Sequence, residues 1–262
     1  MTESPTNIDA ILEQAMWDMF WLPRDAVVVD RPEIKYASHR RNVVYFNQVT
    51  RLRAEPSRFR SLVEEVVSAH RGRKSRWLIG PFVKHPLLES ILTEHGYEPR
   101  HVHHACAIRT KDYDQRPVSV AVAPVRTMDD LKGAMQVGDK AFDINQTYTI
   151  EEMQFLLERC ARPDGRTQRF AIWAGARPIA SAGVTFFDDL SFGLLWGGAT
   201  VEDERGKGMY SALVTARVDW AIQRGIEHVG LYAGRDSSAP IARKLGLKQH
   251  GDMIGWMHDG EK

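Results

Sequence analysis

The chain has 262 residues, 43% of them hydrophobic and 26% charged, with 35 Lys and Arg against 34 Asp and Glu. That mixture excludes an intrinsically disordered chain, and its length suits two domains. Counting through Arg116 gives 18 basic and 15 acidic residues, which leaves 35 − 18 = 17 and 34 − 15 = 19 for the rest, so neither half has the basic excess of a nucleic-acid binder.

From the start, Ile8, Ile11, Leu12, Ala15, Met16 and Met19 recur at helical spacing behind Asn7 as N-cap, which predicts an amphipathic helix over Ile8 to Phe20. A strand is expected from Asn42 to Val49 and a helix from Pro56 to His70 with Phe59, Leu62, Val63, Val66 and Val67 inward. A short strand from Trp77 to Ile79, a helix from Pro86 to His95 stopped by Gly96, and a strand from Val102 to Ile108 complete the half. The polar run Lys111-Asp112-Tyr113-Asp114-Gln115-Arg116 shows no apolar period and reads as a linker, which puts domains at 1–112 and 117–262.

Beyond it, a strand from Val118 to Val125 leads to helices over Asp129 to Phe142 and Ile150 to Cys160. A hairpin follows, with Phe170 to Trp173 and Ile179 to Phe187 around the turn at Ala174 to Pro178. Next come a strand (Phe192 to Val201), a helix (Met209 to Arg224), a strand (His228 to Tyr232), a short helix (Ala239 to Leu245) and a last strand (Asp252 to Met257). This alternation implies an α+β class, with a mixed sheet and helices on its faces. Both halves end alike: the strand at Trp77 leads to Pro86, a helix and Gly96-Tyr97, and the strand at Val229 leads to Pro240, a helix and Gly246-Leu247. That parallel suggests a diverged duplication.

The chemistry concentrates in Ala199-Thr200-Val201-Glu202-Asp203-Glu204-Arg205-Gly206-Lys207-Gly208-Met209-Tyr210-Ser211. Gly206 and Gly208 let the backbone turn its amides into one concavity, and the helix opening at Met209 adds its positive dipole end, which together suit a pyrophosphate. A glycine loop by itself is weak. Its setting is specific, because it follows an apolar strand and is succeeded by a helix, Gly225, a strand and the helix from Pro240 to Gly246.

With Val201, Arg205-Gly206-Lys207-Gly208 and Ile241-Ala242-Arg243-Lys244-Leu245-Gly246-Leu247 in that order, the stretch from Val118 to Met257 resembles the GNAT superfamily of acyl-CoA N-acyltransferases. The resemblance implies acetyl-CoA as co-substrate. Its pyrophosphate would lie on the amides of Gly206, Lys207, Gly208, Met209, Tyr210 and Ser211, next to Arg205, with the pantetheine and acyl carbonyl on the backbone of Ala199, Thr200 and Val201. It also implies transfer to a primary amine of a small molecule or peptide. Two positions depart from the family pattern. Tyr210 stands where the loop has a third small residue, and Ala242 replaces the helix tyrosine that protonates the leaving thiolate in many relatives. Candidates for proton transfer are Glu202 and Asp203 for the amine, and Tyr232, Ser237 or Ser238 for the thiolate, each set against its plainer reading as a surface residue. The alternatives are a non-catalytic acyl-CoA-binding module, motivated by Ala242, and a scaffold that has lost the ligand, against which the loop glycines argue.

The N-terminal half joins its strand to its helix through Arg51-Leu52-Arg53-Ala54-Glu55-Pro56, without glycine, and so resembles the degenerate first half of tandem GNAT proteins. Within His101-Val102-His103-His104-Ala105-Cys106, strand alternation splits the ligands between faces, so no metal site is expected. Arg71-Gly72-Arg73-Lys74-Ser75-Arg76 reads as a solvated helix end. Trp173, Phe186, Phe187 and Trp196 read as core, with one or two as candidates to line an amine pocket. Cys106 and Cys160 lie in different halves and read as reduced thiols, and no export or membrane segment is evident, so the expected location is the cytoplasm. The sequence leaves a homodimer open.

Overall fold

The computed structural model describes residues 7–115, 117–144 and 147–260. In chain order the elements are α1 (Ile8–Trp17), β1 (Val27–Arg31), β2 (Ile34–Ser38), β3 (Gln48–Leu52), α2 (Phe59–His70), β4 (Ser75–Ile79), α3 (Pro86–Glu94), β5 (Glu98–Arg109), β6 (Ala123–Pro124), α4 (Met128–Ala141), α5 (Ile150–Cys160), β7 (Thr167–Ala174), β8 (Arg177–Phe187), β9 (Phe192–Thr200), α6 (Met209–Gln223), β10 (His228–Gly234), α7 (Ser238–Lys244) and β11 (Lys248–His258). The fold is mixed α+β, with helices on mixed sheets. Two compact units emerge: one takes the chain to Ala105 together with 233–239 and the end from His250, the other Cys106–Tyr232 and Pro240–Gln249. The described part of the polar segment, 111–115, lies inside the second of these.

In the first unit the strands run β1-β2-β3-β4-β11, with the initial part of β5 next to β11. β3 and β4 are parallel, pairing Gln48 with Arg76 and Val49 with Trp77, whereas β4 and β11 are antiparallel, pairing Trp77 with Trp256. One core gathers Phe59, Leu62, Val63 and Val66 of α2 with Leu88, Ile91 and Leu92 of α3 over Val49, Trp77 and Trp256. The strand expected over Asn42 to Val49 begins only at Gln48, since 44–46 form a 3-10 turn. The cause is Asn47, which is fully buried: its side-chain oxygen accepts from His39 N and its amide donates to the carbonyls of Arg41 and Val43, so local turn chemistry overrides the apolar run. The first helix also stops at Trp17, short of Phe20, and Met19 carries a positive φ of 53°.

In the second unit the order is β10-β9-β8-β7-β6, all antiparallel except the β9–β10 pair. Of the strand expected over Val118 to Val125 only Ala123–Pro124 pairs, with Phe170 and Ala171. α4 and α5 each begin with a reciprocal capping box, Thr127 with Asp130 and Thr149 with Glu152, which satisfies amides that a helix start would leave unbonded. α4 lies on one face of β8, where Ser181 Oγ donates to the Ala134 carbonyl at 2.8 Å; α6 lies on the other, with Phe170 edge-on to Trp220. The expected linker is anchored in this unit. Thr110 donates its hydroxyl to Ile226 O at 2.7 Å, and buried Tyr113 shares a 2.8 Å hydrogen bond with Thr215 of α6.

Candidate active site

β9 and β10 pair only from Phe192 with His228 to Leu194 with Gly230, yet β9 continues to Thr200 and β10 to Gly234. Beyond Leu194 the two have no ladder, so the backbone of β9 on that edge is free to meet a ligand. On its other edge β9 stays with β8, but through a bulge: Ser181 faces Ala199 and Gly183 faces Trp196, which leaves Gly197 and Gly198 against Ala182 alone, with Gly197 at φ 61°. Such a bulge bends the strand and redirects the residues after it.

The bulge strands carbonyls that the ladder does not reach, and Arg217 of α6 reaches them. Its Nη1 donates to Gly183 O at 3.1 Å and Trp196 O at 3.3 Å, and its Nε to Leu213 O at 2.8 Å, with the residue 1% exposed. Burial pulls this guanidinium down to about 10, still charged at neutral pH. Its Nη2 is buried without a hydrogen-bond partner. Sequence reading passed over Arg217; the available signal was a lone cation on the buried side of α6 among Leu213, Val214, Val218 and Ala221.

The glycine loop has the expected geometry. Gly206 and Gly208 carry φ of 77° and 84°, in the left-handed region, and Gly208 is the N-cap of α6 without any side-chain cap. The first backbone bond of the helix runs from Ala212 N to Gly208 O at 3.0 Å. Among the described residues, none of the amides from Gly206 to Ser211 donates a hydrogen bond, and a Cβ added at Gly206 or Gly208 would meet nothing within 4 Å. Undonated amides at a helix N-terminus, with room for more atoms at Gly206 and Gly208, suit an anionic pyrophosphate. Tyr210 turns its ring away, onto Gly198, where a Cβ would lie 2.6 Å from the ring.

Of the stretch Ala199 to Val201, Val201 has both backbone groups engaged within the protein, its N with Ile179 O at 2.9 Å and its O with Glu204 N at 3.1 Å. Thr200 keeps a buried hydroxyl without a partner. Arg205 turns back to the Thr200 carbonyl at 3.3 Å, and Lys207 to Glu204 at 2.9 Å. The proton-transfer candidates scatter. Glu202 and Asp203 are exposed on a 3-10 turn, and Asp203 is tied to Arg177 at 2.7 Å, which holds its carboxyl below the usual range. Tyr232 is half-buried on β10. The Ser238 hydroxyl accepts from Gly234 N at 2.9 Å and Ser237 folds back on Gly234 O at 3.5 Å, so both close a local turn. Ala242 is fully buried in α7 and offers no proton. Elsewhere, His104 pairs with Asp252 at 2.7 Å, and among the described residues no three His, Cys, Asp or Glu side chains group to hold a metal. No helix of the described residues is long and apolar enough to cross a membrane.

Residues 136–247, from within α4 to the turn after α7, match the model of the acetyltransferase (GNAT) family. The segment 136–247 is a GNAT acetyltransferase domain. The fold extends the likeness over the chain: a GCN5-related N-acetyltransferase from Kribbella flavida superposes with a TM-score of 0.73 at 16% identity, covering 98% of both chains. A conserved protein of unknown function from Staphylococcus epidermidis gives 0.61 at 11% identity over 90% of this chain and 95% of that one. A GCN5-related N-acetyltransferase from Sphaerobacter thermophilus gives 0.52 at 16% identity over 75% and 63%. A search of curated proteins finds no match to the chain. At such identities the structures speak for the fold, and the family match speaks for the segment 136–247.

Proposed function

We propose that the chain moves an acetyl group from acetyl-CoA to a primary amine of a small molecule or peptide. The observation that carries this reading is the run of undonated amides from Gly206 to Ser211 at the start of α6, with nothing within 4 Å of a Cβ at Gly206 or Gly208, following the strand β9 whose ladder with β10 ends at Leu194. Acetyl-CoA supplies the activated thioester. The loop amides and the α6 dipole would hold its pyrophosphate, and the free edge of β9 before Val201 would take the pantetheine and polarise the acyl carbonyl. Positioning and polarisation are the principal contributions, since a neutral amine attacks a thioester directly: the N–C bond forms, the C–S bond breaks, and proton transfer adds about 10² to 10⁴-fold where a side chain provides it. With Ala242 in place of an acid, solvent takes the proton that the amine nitrogen loses and returns one to the departing sulfur.

We also read the N-terminal half, 1–112, as a degenerate GNAT-like domain before the transferase domain at 117–262. The order β3, α2, β4, α3, β5 repeats β9, α6, β10, α7, β11, and β3–β4 is parallel like β9–β10. The β3–α2 connection contains no glycine, so it has no backbone nest. Ala242 keeps a second reading alive, a non-catalytic acyl-CoA-binding module. Calorimetry of the full chain with acetyl-CoA, followed by thiol release with a panel of amines, separates the two. Binding with turnover supports the transferase, binding without turnover of any amine supports the module, and no binding rejects both.

A further inference from the structure

Between the end of α5 and the start of β7 the second unit holds a solvent-open cavity of about 240 Å³, lined by Glu158, Arg159, Arg162, Gly165, Arg166 and Thr167. The loop that forms its wall is tightly built. Gly165 N donates to Arg162 O at 3.0 Å, and a Cβ at residue 165 would lie 3.0 Å from that same oxygen, which favours glycine there. Gln168, fully buried, donates its side-chain amide to Arg162 O at 2.5 Å and to Gly165 O at 3.1 Å. Arg224, the C-cap of α6, donates Nη1 to Asp164 O at 3.0 Å and Gly165 O at 3.3 Å, and Arg126 donates Nη1 to Cys160 O at 3.1 Å.

These bonds commit the loop's carbonyl oxygens to side chains that are not part of the lining. The charged groups left to line the cavity are three guanidiniums against the single carboxylate of Glu158. Each guanidinium is held in place. Arg166 donates Nε to Phe186 O at 2.9 Å and lies 4.7 Å over the Phe187 ring, Arg159 lies 5.3 Å over the Phe155 ring, and Arg162 forks onto Asp164 at 3.0 and 3.3 Å. Stacking on an aromatic ring orients a guanidinium without neutralising it. The Arg162–Asp164 pair is 70% and 73% exposed, and a pair so exposed is weak, which leaves Arg162 able to turn to a ligand. The cavity also lies far from the glycine loop: Thr167 pairs with Thr185 of β8, whereas Thr200 pairs with Ala180, five positions or about 17 Å along that strand.

We propose that this cavity is a second anion site, separate from the glycine loop, which takes a small phosphate-bearing molecule on Arg159, Arg162 and Arg166. The assignment stands independently of the transferase reading. One guanidinium fork satisfies a planar carboxylate, whereas three of them around one space match a tetrahedral phosphate with its several acceptor oxygens and double charge. The volume falls below the roughly 300 Å³ at which pockets for drug-sized ligands begin, so the occupant is small.

The test is calorimetry of the full chain with inorganic phosphate and with glycerol 3-phosphate, at about 0.15 M salt to screen loose surface attraction, and with glycerol as the neutral control. The proposal expects saturable binding of at least one of the two phosphates, none of glycerol, and the same affinity with and without saturating acetyl-CoA. Tighter binding of the ester identifies a phosphate ester as the ligand, and tighter binding of inorganic phosphate identifies the free ion. Arg162→Gln removes an exposed side chain that the fold does not need, and should weaken binding at least about tenfold, or 1.4 kcal/mol, with Arg162→Lys losing less. Arg166→Gln, checked for a wild-type melt, should weaken it similarly, while Glu158→Gln, which removes the one lining carboxylate, should tighten it and Gly208→Glu should leave it unchanged. Absence of binding by both phosphates overturns the site, as does binding untouched by both Arg162→Gln and Arg166→Gln. Competition by acetyl-CoA, or binding lost in Gly208→Glu, would put the phosphate on the glycine loop and overturn it equally.

Discussion

Gly208→Glu probes the loop most sharply. Gly208 has φ 84°, so a side chain there incurs roughly 1–2 kcal/mol of left-handed backbone strain. No atom lies within 4 Å of the added Cβ, so the fold meets no clash and stability should fall by about that strain alone. The same openness points the new carboxylate at the space assigned to the pyrophosphate. One like-charge pair at about 6 Å and an effective dielectric near 20 repels by about 3 kcal/mol, and salt screening leaves roughly half. Acetyl-CoA should therefore bind at least about tenfold more weakly, about 1.4 kcal/mol. Gly208→Ala carries the strain without the charge and separates the two effects, and Gly206→Ala, also at an open positive-φ position, should be milder than Gly208→Glu. Thermal melts followed by calorimetry on the four proteins decide it. A folded Gly208→Glu that binds acetyl-CoA as tightly as the wild type would refute the placement of the pyrophosphate.

Three further outcomes follow from buried charges. Arg217→Met should destabilise by about 2–4 kcal/mol in urea titration, because it abandons the carbonyls of Gly183 and Trp196 at the bulge, and acetyl-CoA binding should weaken in parallel. His70 is 1% exposed, hydrogen-bonded to Ala37 O, and lowered by burial to about 4. A depressed folded value means that its contribution is present above about 6.5 and is lost as pH falls toward 4, so the unfolding free energy from urea titration should drop over that window by up to about 3 kcal/mol, and His70→Gln should flatten the slope. Asp139 has the opposite sign: raised by burial to about 6, it stabilises below about 3.8 and loses that contribution as pH rises through 6. Asp139→Asn should thus raise the melting temperature at pH 7, by about 1–2 kcal/mol in stability, and leave it nearly unchanged at pH 4.

The second half of the chain was more legible than the first because its signals are local. Positive-φ glycines ahead of a helix, the apolar runs of β8 and β9, and the Pro240 to Gly246 helix each follow from neighbours in sequence, and the structure forms all of them. The pairing of β11 with β4 rests on contacts between residues about 180 apart, which no periodicity announces. Tyr113 sat unseen in a polar run because its partner, Thr215, lies on α6. The glycine pattern marked the loop, but the bulge at Gly197 and the guanidinium that braces it depend on Gly183 and Arg217 coming together from separate elements. Val201 is similar: its sequence position suggests a ligand contact, and only the register with Ile179 shows its amide already used.

Hydrogen–deuterium exchange of the full chain with and without acetyl-CoA tests the central claim directly, because the amides of Gly206 to Ser211 donate to no described group and should exchange quickly in the free protein. The account predicts that acetyl-CoA slows exchange in the peptide spanning 198–211 and leaves the glycine-free β3–α2 connection at 52–58 unaffected. Protection at 52–58 instead, or none at 198–211 under saturating acetyl-CoA, would contradict it.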